Sequence, residues 1–213
     1  MDVKLSDFIW TTDTALKEDF CEHVIKKFEN DDKKEQGVVG TDRRVELSLK
    51  DSIDLHISRY KENWDQEDRV FFESIADALQ EYWKHIEKLH PKLCPIGPYT
   101  KVQDLGYQVK RYEPNGYYHW HHDYTVENTG ARALTFIWYL NDGGEEGVTE
   151  FIDGTIITPK AGKLLIFPAT WCYLHRGLPP KVGRKYIATG WLYTGENFKL
   201  DSIPKAPGEW TEL

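Results

Sequence analysis

Residues 184–193 read RKYIATGWLY. In an extended strand side chains two apart point the same way, so Lys185, Ile187, Thr189, Trp191 and Tyr193 share one face and Tyr186, Ala188, Gly190 and Leu192 the other. Both faces have the composition of buried surface, and a lysine is out of place on either. Similar β-branched and aromatic runs precede this one: YQVKRY from Tyr107, then ALTFIWYL, TEFI, TIIT and KLLIFP, separated by turns such as NDGG, DGT, PKAG and LPPKVG. The chain from Tyr107 onward is therefore expected to fold as an antiparallel β sandwich or barrel.

The first half has a different texture. Residues 12–30 open with the cap-like TTDT and continue LKEDFCEHVIKKFEN, in which Leu16, Phe20, Val24 and Phe28 recur at helical spacing; an amphipathic helix is predicted. Residues 45–58, VELSLKDSIDLHIS, alternate apolar and polar side chains and predict one or two short strands. Residues 63–92 begin acidic, carry Phe71, Ile75, Leu79, Trp83 and Ile86 on one stripe and stop near a proline, which predicts a second helix. A length of 213 residues with 40% hydrophobic content suits a single domain, with a mostly helical flank over residues 1–100 and a β core over 101–198. The tail after Phe198, with Pro204 and Pro207, reads as a loose strap.

A net charge of −8 and a pI near 5.5 oppose attraction to nucleic-acid phosphates or anionic membrane surfaces, so neither is expected as a partner. The N-terminus lacks the basic start and apolar run of a secretory signal, and no later segment approaches membrane-spanning length; a soluble, cytoplasmic chain is expected. Three cysteines, Cys21, Cys94 and Cys172, share no metal-ligand spacing and read as reduced thiols. Oligomeric state leaves no trace in the sequence.

The chemistry concentrates in HWHHDY, residues 119–124. On a regular strand His119, His121 and Asp123 share one face, with Trp120 and His122 on the other, and His121-x-Asp123 is a two-tooth claw for a metal. Alone that pair is a weak signal in an Asp-rich chain with eight histidines. His175 strengthens it. This histidine follows KLLIFP in the mostly apolar ATWCYLHRG, where an unpaired imidazole is costly, and two histidines with one carboxylate form the facial set of non-haem Fe(II) oxygenases. The competing reading of His175 is a core histidine bonded to a backbone carbonyl. Lys185 adds a buried ammonium that calls for an anion, unless it sits at a strand end and reaches water. His122 reads as structural or surface, and His119 as either a supporting group behind the metal or a solvated side chain. The acidic NDGGEEG does not fit the calcium-loop pattern and reads as a hairpin turn, while Cys172 reads as packing rather than as a nucleophile.

Taken together, YQVKRYEPNGYYHWHHDY, RALTFIWYLND, EGVTEF, PKAGKLLIFP and HRGLPPKVGRKYIATGW resemble the 2-oxoglutarate and Fe(II)-dependent oxygenases, specifically the catalytic domain of prolyl 4-hydroxylases. The resemblance runs from about Tyr107 to Tyr193 and implies a mainly β fold with flanking N-terminal helices, a double-stranded β-helix or jelly roll. It implies iron held by His121, Asp123 and His175, and the distal carboxylate of 2-oxoglutarate held by Lys185 with the hydroxyls of Tyr112 and Thr149. Tyr118 and Arg132 are then expected to face the substrate. The implied dioxygenase reaction consumes Fe(II)-bound 2-oxoglutarate and O2, with ascorbate as an accessory, and hydroxylates prolyl residues of a proline-containing peptide or protein. One position departs from the family: two residues before the distal histidine, where Trp is frequent, this chain has Tyr173. The same chemistry on a free amino acid or other small molecule, and a metal-binding jelly roll without turnover, stand as alternatives. Residues 37–58 and 124–132, rich in charge and glycine, read as lids.

Overall fold

The computed structural model describes residues 3–40, 42–91, 102–127, 130–143 and 146–194; Cys94 and the tail after Phe198 lie outside them. In chain order the elements are β1 (Trp10–Thr12), α1 (Glu18–Asn30), β2 (Glu35–Gln36), β3 (Ile53–His56), α2 (Lys61–Leu89), β4 (Gln103–Asp104), β5 (Gln108–Tyr112), β6 (Tyr118–His121), β7 (Val126–Glu127), β8 (Gly130–Tyr139), β9 (Thr149–Phe151), β10 (Ile156–Ile157), β11 (Leu164–Pro168), β12 (His175–Gly177) and β13 (Lys185–Thr194). Short 3-10 turns occupy Leu5–Phe8 and Ile57–Arg59. A large sheet runs β1-β11-β8-β13-β5-β3-β2, with β4 added on β13 and β7 on β8, and a small sheet runs β10-β9-β12-β6. All pairings are antiparallel, and the two sheets form the expected jelly roll.

The large sheet is covered on both faces. Outward, Val109, Leu134, Phe136, Trp138, Leu164, Ile166, Tyr186, Ala188 and Leu192 pack against α1 and α2 in one apolar cluster. Phe71 of α2 sits at its centre, with ring centroids 4.9 Å from Trp138 and 5.7 Å from Tyr107. Each such fully buried side chain contributes about 2 kcal/mol. Inward, Tyr112, Ile137, Tyr139, Leu165, Phe167 and Ile187 meet the small sheet, where Phe151 packs edge-on against Phe167 at 4.9 Å. The division predicted from RKYIATGWLY, even residues one way and odd the other, is the division between these clusters.

One expectation needs correction. The first helix begins at Glu18 rather than at Thr12, because Trp10–Thr12 pair with Leu164–Ile166 as an edge strand and the backbone groups of the cap-like stretch are engaged there. Leu16 is buried just ahead of the helix, its N–H donating to the Gly162 carbonyl; Gly162 has φ +82°, and a Cβ on it would lie 2.3 Å from the Leu16 oxygen, so only glycine allows this approach. Of the one or two short strands expected over residues 45–58, one forms, at Ile53–His56, and the VELSLK part lies outside it. The backbone of that part closes local turns, Leu49 and Lys50 N–H both donating to Glu46, and Val45, Leu47 and Leu49 are 54%, 54% and 40% exposed. Ile53–His56 becomes the one strand of residues 45–58 by pairing with β5, while Lys50 makes a single antiparallel bridge with Tyr118. Three strands among the described residues before residue 100 thus enter the large sheet, and within residues 37–58 Lys50, Ser52 and Asp54 are buried. The second proposed lid begins as the β7–β8 ladder, Val126 facing Ala131. Among the described residues no helix is long and apolar enough to cross a membrane.

Candidate functional site

β6 and β12 lie side by side, and their pairing sets His175 opposite His121. The register then slips, so that Gly177 faces Tyr118: two steps along β12 span three along β6. This bulge turns Tyr118 and His121 toward the interior together, their rings stacked with centroids 3.5 Å apart, and leaves His119 and Trp120 exposed. Strict alternation had put His119 on the metal face. Its ring instead lies 4.7 Å from Tyr117 in solvent, and its useful group is the backbone carbonyl, which accepts a hydrogen bond from His121 Nδ1 at 2.7 Å. His122 is exposed, as expected.

Asp123 follows the end of β6, and its carboxylate joins both imidazoles. Oδ1 is 3.8 Å from His121 Nε2 and Oδ2 is 3.6 Å from His175 Nε2; one ligand atom from each of the three residues lies within 4.8 Å of the others. His175 Nδ1 meets the Tyr173 carbonyl at 3.0 Å, so the core-histidine reading describes half of this ring. A carbonyl only accepts, which places the proton of each histidine on Nδ1 and turns the Nε2 lone pair toward the trio. Thr135, buried on the inward face of β8, donates to Asp123 Oδ2 at 2.8 Å. Burial, and next the neighbouring His175, press His121 down to about 3. Burial alone would raise Asp123, but His175 and His121 outweigh it and hold the carboxyl at about 2. A neutral imidazole beside an ionised carboxylate is the state in which a cation binds without displacing a proton, so these residues fit a divalent metal.

The trio lies in a cavity of about 500 Å³ of empty space, counted out to its mouth, whose walls include Tyr112, Tyr118, Thr149, Lys185 and Trp191. Lys185 opens β13 but does not reach water: it is 2% exposed. Its ammonium donates to the Leu178 carbonyl at 3.2 Å and lies 4.8 Å from the Tyr112 ring; no carboxylate pairs with it among the described residues, and burial pushes it down to about 7. Gly177 leaves room beside it, since a Cβ there would stand 3.5 Å from Nζ. Thr149 accepts a hydrogen bond from the buried Tyr139 hydroxyl at 2.7 Å, which frees its own hydrogen for another acceptor. Burial raises the phenols of Tyr112 and Tyr118, keeping both as hydrogen-bond donors. A buried ammonium with a space in front and hydroxyl donors around it fits the far carboxylate of a dicarboxylate such as 2-oxoglutarate. Arg132 is braced, its guanidinium 3.8 Å over the Trp191 ring and Nε donating to Tyr193 at 2.9 Å.

Sequence reasoning passed over Lys110, Asp54 and Thr135, all buried around this cavity. The signal for Lys110 was available: in YQVKRY it stands two residues before Tyr112, on the same inward face, as anomalous there as Lys185 is in its own strand.

Residues 107–193 match the 2OG-Fe(II) oxygenase superfamily. A protein of Acanthamoeba polyphaga mimivirus designated a prolyl 4-hydroxylase is 34% identical over 141 residues, 53% of this chain and 57% of the viral protein. The mouse prolyl 4-hydroxylase subunit alpha-3 is 30% identical over 112 residues, 43% of this chain and 20% of the mouse subunit. This chain therefore spans little more than half of the first relative and a fifth of the second. Among solved structures, the viral collagen prolyl hydroxylase of Paramecium Bursaria Chlorella virus-1, in complex with 2OG, superposes with a TM-score of 0.60 at 21% identity, covering 88% of this chain and 97% of its own. The Trichoplax adhaerens prolyl hydroxylase, in complex with a hypoxia inducible factor peptide, gives 0.68 at 14% identity, covering 92% and 88%. At such identities the structures establish the common fold.

Proposed function

We propose that this protein hydroxylates prolyl residues in a peptide or protein, using Fe(II), 2-oxoglutarate and O2; the match of residues 107–193 to the 2OG-Fe(II) oxygenase superfamily and the similarity to prolyl 4-hydroxylases support the reading. The observation that carries the reading is one cavity holding both a two-histidine, one-carboxylate trio and a buried ammonium without a carboxylate partner among the described residues. Bound Fe(II) would supply the redox chemistry, coupling decarboxylation of 2-oxoglutarate to succinate with insertion of one oxygen atom of O2 into a C–H bond.

The chain's own residues supply placement. His121, Asp123 and His175 would hold the metal, leaving it open to cosubstrate and O2. Lys185 pairs with the far carboxylate, with Thr149 and Tyr112 donating beside it. That grip fixes the cosubstrate along the β13 wall, and the burial of the ammonium strengthens the pairing. Tyr118, stacked on His121, and Arg132, braced on Trp191, face the peptide. A peptide substrate is favoured by the prolyl hydroxylases that share the sequence and the fold. The acidic surface opposes nucleic-acid or membrane partners, and unpaired Cys21 and Cys172 suit a reducing cytoplasm. A metal-binding module without turnover is disfavoured by Lys185, whose desolvation destabilises the fold until an anion is bound.

The test is aerobic incubation with Fe(II), ascorbate and 2-oxoglutarate, with and without proline-rich peptides and their Pro→Ala counterparts. Succinate and hydroxyproline should rise together only with the prolyl peptides. Hydroxylation of the alanine peptides at another residue, or peptide-independent succinate alone, would remove the prolyl assignment.

A further inference from the structure

Lys185 is not the only ammonium in the cavity wall. Lys110 faces Ile187 in the β5–β13 ladder, next to the Tyr112–Lys185 pair along the same inward face, and it is 6% exposed. Its closest carboxylate is Asp54, with Oδ2 3.5 Å from Nζ. That carboxylate is already engaged: Lys50 donates to the same oxygen at 2.6 Å and Ser52 to the other at 2.8 Å. Two buried ammonium groups therefore share one carboxylate, and Lys110 holds the longer of the two contacts, 3.5 Å against 2.6 Å for Lys50. Trp191, also in the wall, has its ring centroid 5.9 Å from Lys110 Nζ, and its buried indole N–H has no acceptor among the described residues. Gly37 keeps the cluster tight, since a Cβ there would stand 2.3 Å from Ser52 Oγ.

An ammonium confined in this way is expensive unless something anionic completes it. The cosubstrate's far carboxylate needs one cation, and Lys185 supplies it; Lys110 is left for a second anion in the same cavity. We propose that Lys110 binds a carboxylate carried by the substrate itself, so that the preferred substrate is a prolyl unit with an acidic group close to the reacting ring. The inference rests on the oxygenase reading above. Two sources share this chemistry: the α-carboxylate of a C-terminal or free proline, and the side chain of an adjacent Glu or Asp.

The experiment uses the Fe(II)- and 2-oxoglutarate-loaded protein, first without oxygen. Binding is measured for N-acetyl-L-proline against N-acetyl-L-prolinamide, for a peptide ending in Pro as acid against amide, and for Pro-Glu against Pro-Gln peptides; oxygen is then admitted and hydroxyproline counted. In at least one pair the acid should bind about tenfold more tightly, as one charge-assisted hydrogen bond provides, and the pair that responds identifies the source. Lys110→Met and Lys110→Gln should erase that preference, while 2-oxoglutarate affinity changes by less than about twofold. Equal affinity in every pair, a preference that survives in both variants, or a loss of 2-oxoglutarate affinity, which would give Lys110 to the cosubstrate, overturns the proposal. An acid preference without hydroxyproline removes prolyl hydroxylation and leaves the anion subsite standing; hydroxyproline without an acid preference does the reverse.

Discussion

The two faces of the large sheet are made by the same strands and serve opposite ends. The face toward α1 and α2 is apolar and closed: Trp138 meets Phe71 and Phe136, and its indole N–H donates to Ser74 at 3.0 Å. The face toward the small sheet buries Lys110, Thr135, Lys185 and Thr189. Alternate residues of β5, β8 and β13 thus go to stability on one side and to ligand chemistry on the other. Burial costs a charged group its hydration, and a fold that stabilises itself elsewhere can keep such groups poised for a ligand.

If the faces are separable, lesions on each should move different observables. The largest effect belongs to the inward trio: His175→Ala should lower succinate formation on the order of 10³-fold, several kcal/mol of transition-state stabilisation, while the thermal midpoint of the metal-free protein stays near wild type. Normal turnover with normal metal content would remove His175 from the site. On the outward face, Phe71→Ala should cost about 3–5 kcal/mol in denaturant unfolding and leave the KM for 2-oxoglutarate unchanged in the folded fraction. A KM shift there would show that the faces are coupled.

Lys185→Met is the sharper comparison, since it exchanges a ligand group for an apolar one of similar length. Affinity for 2-oxoglutarate should fall about 10- to 100-fold, and the metal-free variant should melt at or above the wild type, because a desolvated ammonium is gone. Burial holds the free Lys185 at about 7, so its charge is present below that pH and lost above it. Wild-type 2-oxoglutarate affinity should therefore weaken about tenfold per pH unit above neutrality, and the variant should lose that slope. A flat pH profile in the wild type would show that Lys185 stays charged or does not hold the cosubstrate. The smallest effect is expected from Thr135→Val, which removes one hydrogen bond to Asp123 and keeps the shape; metal affinity measured by competition with a chelator should drop about tenfold.

How much of this was legible varied by residue. The β13 faces, α2 and the inner strands could be read because their periodicity is long enough to average over local exceptions. The start of α1 and the VELSLK stretch could not. In both, local pattern was overruled by where a partner strand lay: β11 took Trp10–Thr12, and Val45–Lys50 found no more than the single bridge from Lys50 to Tyr118. His121, Asp123 and His175 were named from residue type and resemblance. His119 was set on the wrong face because a β-bulge cannot be seen in alternation.

By itself the sequence determined which side chains of the regular strands β5 and β13 face inward and which chemistries are present: two imidazoles, a carboxylate and lysines in apolar strands, since those depend on residue identity and a period of two. The tertiary structure alone decided which of them meet. The register slip that turns Tyr118 and His121 inward, the approach of β12 to β6, and the arrival of Lys110 at the Asp54 carboxylate all join residues far apart in the chain. Such contacts are set by strand pairing and packing across the whole molecule, which no local window contains.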